Sequence, residues 1–137
     1  LKGLGVLMLG LSLASPMLAQ QRPAAPPVPR VEPAPEPPSA YEPDMLRLAE
    51  VLGTLSYLTT LCVQSGSESW QQRMTQLLDA EGTTPQRKER LAGAYNRGYI
   101  GHQPAHRVCS ERSRLVIDRL LEQGQKITRD LATRYSG

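Results

Sequence analysis

Nine of the chain's twelve prolines fall in one run, between Arg22 and Pro43. No other feature constrains the fold as much. Proline has no backbone N–H and clashes with the turn before it, so such a run builds neither a helix interior nor a sheet ladder. It favours extended polyproline II and reads as a semi-rigid spacer. The 137 residues are thereby divided into what lies before the run and what lies after it.

The segment before it opens on Lys2 and continues with Leu4, Val6, Leu7, Met8, Leu9, Leu11 and Leu13, separated by small residues. A short basic start and an apolar stretch of roughly ten residues describe a secretory signal peptide. That stretch is about half of the twenty or so apolar residues a bilayer span requires. Cleavage is expected after Ala19, with Ser12-Leu13-Ala14 as the alternative site. The expected organisation is a signal peptide over 1–19, a disordered proline-rich linker over 20–43, and a helical domain over 44–137 without a membrane span. The expected location is the periplasm.

Residues 44–137 suffice for one small core. Phe is absent, and the chain is rich in Leu, Ala, Arg, Glu and Gln with few β-branched runs, a composition that favours helices. Pro43-Asp44 marks a helix start. Leu48, Val51, Leu52, Leu55, Leu58 and Cys62 then recur at spacings of three and four, and Gln64 to Ser67 end this first helix. Ser67 or Ser69 caps a second helix that buries Trp70, Met74, Leu77 and Leu78 and closes at Gly82. Thr84-Pro85 is an N-cap followed by a first-position proline. The third helix carries Leu91, Ala94, Tyr95 and Tyr99, weakened by Gly93 and Gly98. Ser110 caps the fourth and longest helix, which places Ile117, Leu120, Leu121, Gly124, Ile127, Leu131 and Tyr135 on one face. Gly124 is expected to admit another helix closely. The fold class is all-α, a small four-helix bundle.

Export changes how Cys62 and Cys109 are read. Two cysteines of a small exported domain usually pair. Their bond joins the end of the first helix to the cap of the fourth, making these two antiparallel neighbours around an enclosed hairpin. The alternative is a closed structural metal site made of Cys62, His102, His106 and Cys109. Pro104 between the two histidines works against placing them on one helical turn. The oxidising compartment favours the disulfide, and no cofactor is expected. The chain has no G-x-S-x-G, H-E-x-x-H, phosphate-loop or dinucleotide motif, and no catalytic residue is assigned.

Charge is uneven. Between Gly82 and Arg114 seven Lys or Arg face two acids, whereas between Asp44 and Glu81 two Arg face five acids. The basic section holds Tyr95, Asn96, Arg97 and Tyr99, followed by Arg107. Two readings stand for this stretch. In one, the tyrosines are core and Arg97 satisfies carbonyls at a helix end. In the other, Tyr95, Asn96, Arg97, Tyr99 and Arg107 form a recognition surface for an anionic partner. The compartment disfavours nucleic acid.

Trp70 to Asp79 (WQQRMTQLLD), Thr84-Pro85, Tyr95 to Tyr99 (YNRGY), Cys109 and the long helix ending in Arg134-Tyr135 resemble a family of small exported proteins of Gram-negative bacteria. That family is known as a domain of unknown function. The resemblance covers Leu55 to Tyr135. It implies an exported helical domain and no enzyme activity. The expected role is a non-catalytic binding or structural module for an anionic envelope polymer or an envelope partner protein. The alternative is a peptidoglycan hydrolase, or an inhibitor or regulator of one.

Overall fold

The computed structural model describes residue 34, residues 37–62 and residues 67–135. The expected signal peptide and about two-thirds of the expected linker lie outside the described residues. So does the link between the first two helices at 63–66. Among the described residues four helices follow one another: α1 Glu42–Leu61, α2 Ser67–Glu81, α3 Pro85–Gly101 and α4 Glu111–Tyr135.

α1 is the axis of the bundle. α2, α3 and α4 each pack on it, and α2 also meets α3. From Val51 to Thr59 only Tyr57 escapes full burial, so the middle of this helix is covered on every side. A helix buried all round belongs at the centre of a core rather than at its edge. Two apolar clusters line its length. Ala49 and Leu52 pack with Met74 of α2 and with Leu91 and Ala94 of α3. Val51, Leu55 and Leu58 pack with Ile117 of α4, supported by Trp70, Leu120, Leu121 and Ile127. None of the described helices is long and apolar enough to cross a membrane.

The start of α1 differs from expectation. It begins at Glu42, two residues before Asp44, because Glu42 N–H donates to the Ser39 carbonyl and Met45 N–H to that of Tyr41. Pro43 is accommodated in the first turn, where its missing N–H costs nothing. Residues 39–42 are tied to the bundle. Arg87, only 6% exposed, donates to Ser39 Oγ (3.0 Å) and Glu81 Oε2 (2.8 Å) and lies over the Tyr41 ring. Arg90 pairs with the buried carboxylate of Glu42.

The starts of α3 and α4 agree with the sequence. Thr84 Oγ1 accepts from Arg87 N–H (3.2 Å), and Ser110 Oγ accepts from Ser113 N–H (3.1 Å). Each satisfies an amide that has no partner within its own helix.

Glycine plays a different part from the one expected. A Cβ on Gly98 would run into the Glu50 carbonyl, and one on Gly53 into the Tyr95 carbonyl. These two residues, with Ala49 and Ala94, let the backbones of α1 and α3 approach closely. Thr54 Oγ1 sits 3.1 Å from the carbonyls of both Glu50 and Gly98 and donates between them. Gly98 therefore fastens α3 rather than weakening it. At Gly124 an added Cβ would meet Val51 at 3.5 Å, an ordinary contact, so close approach to α4 does not depend on it.

Candidate functional site

Among the described residues, the helix arrangement leaves an open trough. α2 and α4 both pack on α1 but not on each other. A groove of about 670 Å³ runs between them, a size in the range of ligand-binding clefts. Its floor is Leu48, Val51, Leu52 and Leu55 of α1. One wall is Trp70, Arg73, Gln76 and Leu77 of α2. The other is Leu120, Leu121, Gly124, Gln125, Thr128 and Arg129 of α4. Positions three and four apart share a helix face, so both walls arise from ordinary amphipathic spacing. Arg73 lies over the Trp70 ring, 5.3 Å from its centroid. Among the described residues, the lining contains two arginines and no carboxylate, thiol, imidazole or serine hydroxyl. Chemically, such a trough can take an apolar body that carries negative charge.

The residues singled out from the sequence divide between inside and outside. Tyr95 hydrogen-bonds through its hydroxyl to Ser56 Oγ (2.9 Å), and its ring stacks on Tyr99. Tyr99 meets Tyr57 edge-on, and Tyr57 donates to the His106 carbonyl at 2.5 Å. Both tyrosines of the stretch thus tie α3 and the following loop to α1. Asn96, Arg97 and Arg107 are exposed. Arg97 lies back along its helix beside Gly93. Tyr95 and Asn96 also border a shallow depression of about 290 Å³ between α2 and α3. Arg107 lies in the α3–α4 connection, away from that depression.

Cys62 and Cys109 form the disulfide, across a sequence separation of 47 residues. The metal alternative fails with it, because neither sulfur is left as a thiolate to ligate. His102 and His106 are neighbours, with ring centroids 5.8 Å apart. His106 is buried, and its Nδ1 lies 3.0 Å from Ser113 Oγ, which itself contacts the Ser110 cap. Ser113 is fully buried, so this pair organises the loop rather than presenting a nucleophile. Burial holds His102 below the ordinary histidine pKa, and the neighbouring His106 adds to the effect.

A family model described as "Protein of unknown function (DUF2385)" matches residues 40–135. The chain belongs to this family. The DUF2385 match begins fifteen residues before Leu55, where the sequence resemblance starts, so it takes in Tyr41, Glu42 and the first half of α1. It ends at Tyr135, the last residue of α4. The DUF2385 region therefore contains all four helices, the disulfide and the whole trough. No curated protein and no solved structure matches the chain.

Sequence reasoning missed the trough because it assigned each apolar stripe to the core without asking which partner covered it. A usable signal was present. The faces Arg73-Gln76-Leu77 and Leu121-Gln125-Thr128 mix long polar residues into the apolar stripe, as the edge of an open groove does. The contacts of Ser39, Tyr41 and Glu42 were missed because these residues adjoin the prolines and were assigned to the spacer.

Proposed function

We propose that the protein is a non-catalytic binding module of the cell envelope, exported to the periplasm, and that its partner seats in the trough between α2 and α4. The observation that carries this reading is the lining: an apolar floor with Arg73 and Arg129 on facing walls. General acid–base or nucleophilic catalysis needs convergent titratable groups. The trough supplies two cations and amides instead, which favours binding over hydrolysis. The disulfide supports export, since such bonds persist in oxidising compartments.

The partner that fits best is the amphipathic helix of another envelope protein. The trough is open along its length, and its floor extends for two turns of α1, from Leu48 to Leu55. Recognition of this kind places side chains at i, i+4 and i+7 into a groove between helices. Acidic residues flanking that stripe would meet Arg73 and Arg129.

Photo-crosslinking groups placed at Gln76 and Gln125, with Glu89 on the exposed side of α3 as control, test this in intact cells. The expected result is one captured partner from both trough positions and none from Glu89. The captured peptide should be a helix with an apolar stripe and flanking acids, and Arg73→Glu with Arg129→Glu should abolish capture without lowering Tm. Equal capture from Glu89, or capture that survives the double charge reversal, overturns the assignment.

A further inference from the structure

A second surface stands apart from the trough. Among the described residues, three of the four exposed large hydrophobic side chains lie between Ile100 and Leu115. Ile100 at the end of α3 is 60% exposed, Val108 in the loop 71%, and Leu115 in the first turns of α4 53%. The fourth, Tyr135, packs its ring at a tilt against Tyr41 at the far end of the bundle.

The same region is also rich in exposed arginines. Arg97, Arg107, Arg112, Arg114 and Arg119 are all exposed. None of them makes an ion pair among the described residues, whereas Arg47, Arg87, Arg90, Lys126 and Arg134 all do. The acids interspersed with them, Glu111 and Asp118, are fewer.

Helical spacing puts Arg112, Leu115 and Arg119 on one face of α4, and Arg97 and Ile100 on one face of α3. The loop between is firmly held. Cys109 is bonded to Cys62, the Tyr57 hydroxyl binds the His106 carbonyl, and Ser113 Oγ donates to the Val108 carbonyl at 3.4 Å. Val108 is thus presented to solvent by a fixed backbone.

Projecting aliphatic side chains among unpaired guanidinium groups match a layer with anionic groups outside and hydrocarbon beneath. A rigid protein partner would instead call for a concavity or a flat complementary face. Neither the trough nor the depression between α2 and α3 includes Ile100, Val108 or Leu115. We propose that this end of the bundle, built on Ile100, Val108 and Leu115 and ringed by Arg97, Arg107, Arg112, Arg114 and Arg119, docks on the surface of an anionic lipid bilayer. The helices lie on the membrane there without spanning it. The trough, which opens between α2 and α4, is a separate surface, so a protein partner and a membrane are not in competition for the same residues.

Vesicle sedimentation tests the proposal, using the chain in the form isolated from its cells. Two lipid compositions are compared: phosphatidylcholine alone, and phosphatidylcholine mixed with phosphatidylglycerol. The expected result is binding to the mixed vesicles only, weakened by added salt. Arg107→Gln and Arg112→Gln should each lower the partition coefficient by roughly fivefold. Val108→Ser combined with Leu115→Ser should remove the binding that survives in salt. Lys126→Gln, toward the other end of α4, should change nothing. All these side chains are exposed, and unchanged melting curves verify that the variants fold. Equal binding to both compositions, or a partition coefficient indifferent to the arginine variants, overturns the proposal. So does equally tight binding to soluble polyphosphate that is unaffected by the double serine variant, which would make the surface a general polyanion site.

Discussion

The two ends of this bundle solve the same problem in opposite ways. Where α1 begins and α4 finishes, charge is neutralised within the molecule. Glu42 pairs with Arg90, Glu81 with Arg87, and Asp44 with Arg134, while Tyr41 contacts both the Tyr135 ring and the Arg87 guanidinium. At the other end a covalent bond replaces ion pairs. Cys62–Cys109 holds the loop, and five arginines and three aliphatic side chains are left facing water. An end secured by a disulfide does not need its surface charges for stability. Those charges are then available for a partner, whereas the charges of the paired end are consumed by the fold.

The largest effect expected from this contrast is loss of the disulfide. Closing a loop over a separation of 47 residues stabilises a chain by about 4 kcal/mol on the loop-entropy estimate. Cys62→Ser with Cys109→Ser, or reduction of the wild type, should lower the denaturation midpoint by that amount. An unchanged midpoint would mean that the open end is held by His106, Ser113 and Tyr57 alone.

Next in size is the contact between the ends. Gly98→Ala forces a methyl group into the Glu50 carbonyl, and Gly53→Ala one into that of Tyr95. Overpacking of this kind costs about 3 kcal/mol, and urea unfolding of each variant measures it. Gly124→Ala should instead stabilise by about 0.5–1 kcal/mol, because alanine is the better helix former and its methyl meets Val51 in ordinary contact. A large loss there would contradict the assignment of close approach to α1 and α3.

Breaking the paired end comes third. Glu42→Gln removes the charge facing Arg90 and should cost about 2 kcal/mol, less than the roughly 3–5 typical of a fully buried pair, because Arg90 is partly open to water. Its pH dependence follows from the same contact. The hydrogen bond from Arg90 holds the Glu42 carboxyl below its ordinary value of 4.5. The folded state therefore binds fewer protons than the unfolded chain in that range. The stabilisation is complete above about pH 4.5 and is lost as pH falls through the lowered value. In Glu42→Gln the acid limb of the stability curve should be shallower.

The smallest effect belongs to the disulfide end and occupies a different window. Burial depresses the His102 pKa below 6.5. Its contribution is present above about pH 6.5 and fades as pH falls through the depressed value. His102→Asn should flatten the stability curve between that value and neutrality while leaving the Glu42 limb intact. If one variant flattens both windows, the two ends do not titrate independently.

Much of the architecture was legible from residue patterns. The Thr84-Pro85 and Ser110 caps, the closure at Gly82, and the buried positions Leu52, Leu55, Leu58, Met74, Leu91, Ala94, Ile117 and Leu131 all stand where spacing put them. These features rest on contacts within a turn or two of chain. The start of α1 was read two residues late because what orders Tyr41 and Glu42 is Arg87 and Arg90, more than forty residues away. The candidate site was less legible still. The tyrosine stretch was visible as a cluster, but whether its rings faced inward depended on Ser56 and Tyr57 of another helix. The trough exists only because α2 and α4 do not meet, and no local pattern records a contact that is missing.

By itself the sequence determined an all-α bundle of four helices and the concentration of arginines around one loop, and it favoured a bond between its two cysteines over a metal site. Caps and periodicity act through short stretches of chain, and the structure shows the cysteine bond itself. The tertiary structure decided which helix lies at the centre and that Gly53 and Gly98, not Gly124, make the close crossing. It also decided that the prolines give way to ordered contacts at Ser39. The proline run that divides the chain thus ends on the paired end of the bundle. The reason is physical: packing and ion pairing join residues distant in sequence, and their energies depend on geometry that no window of the chain contains.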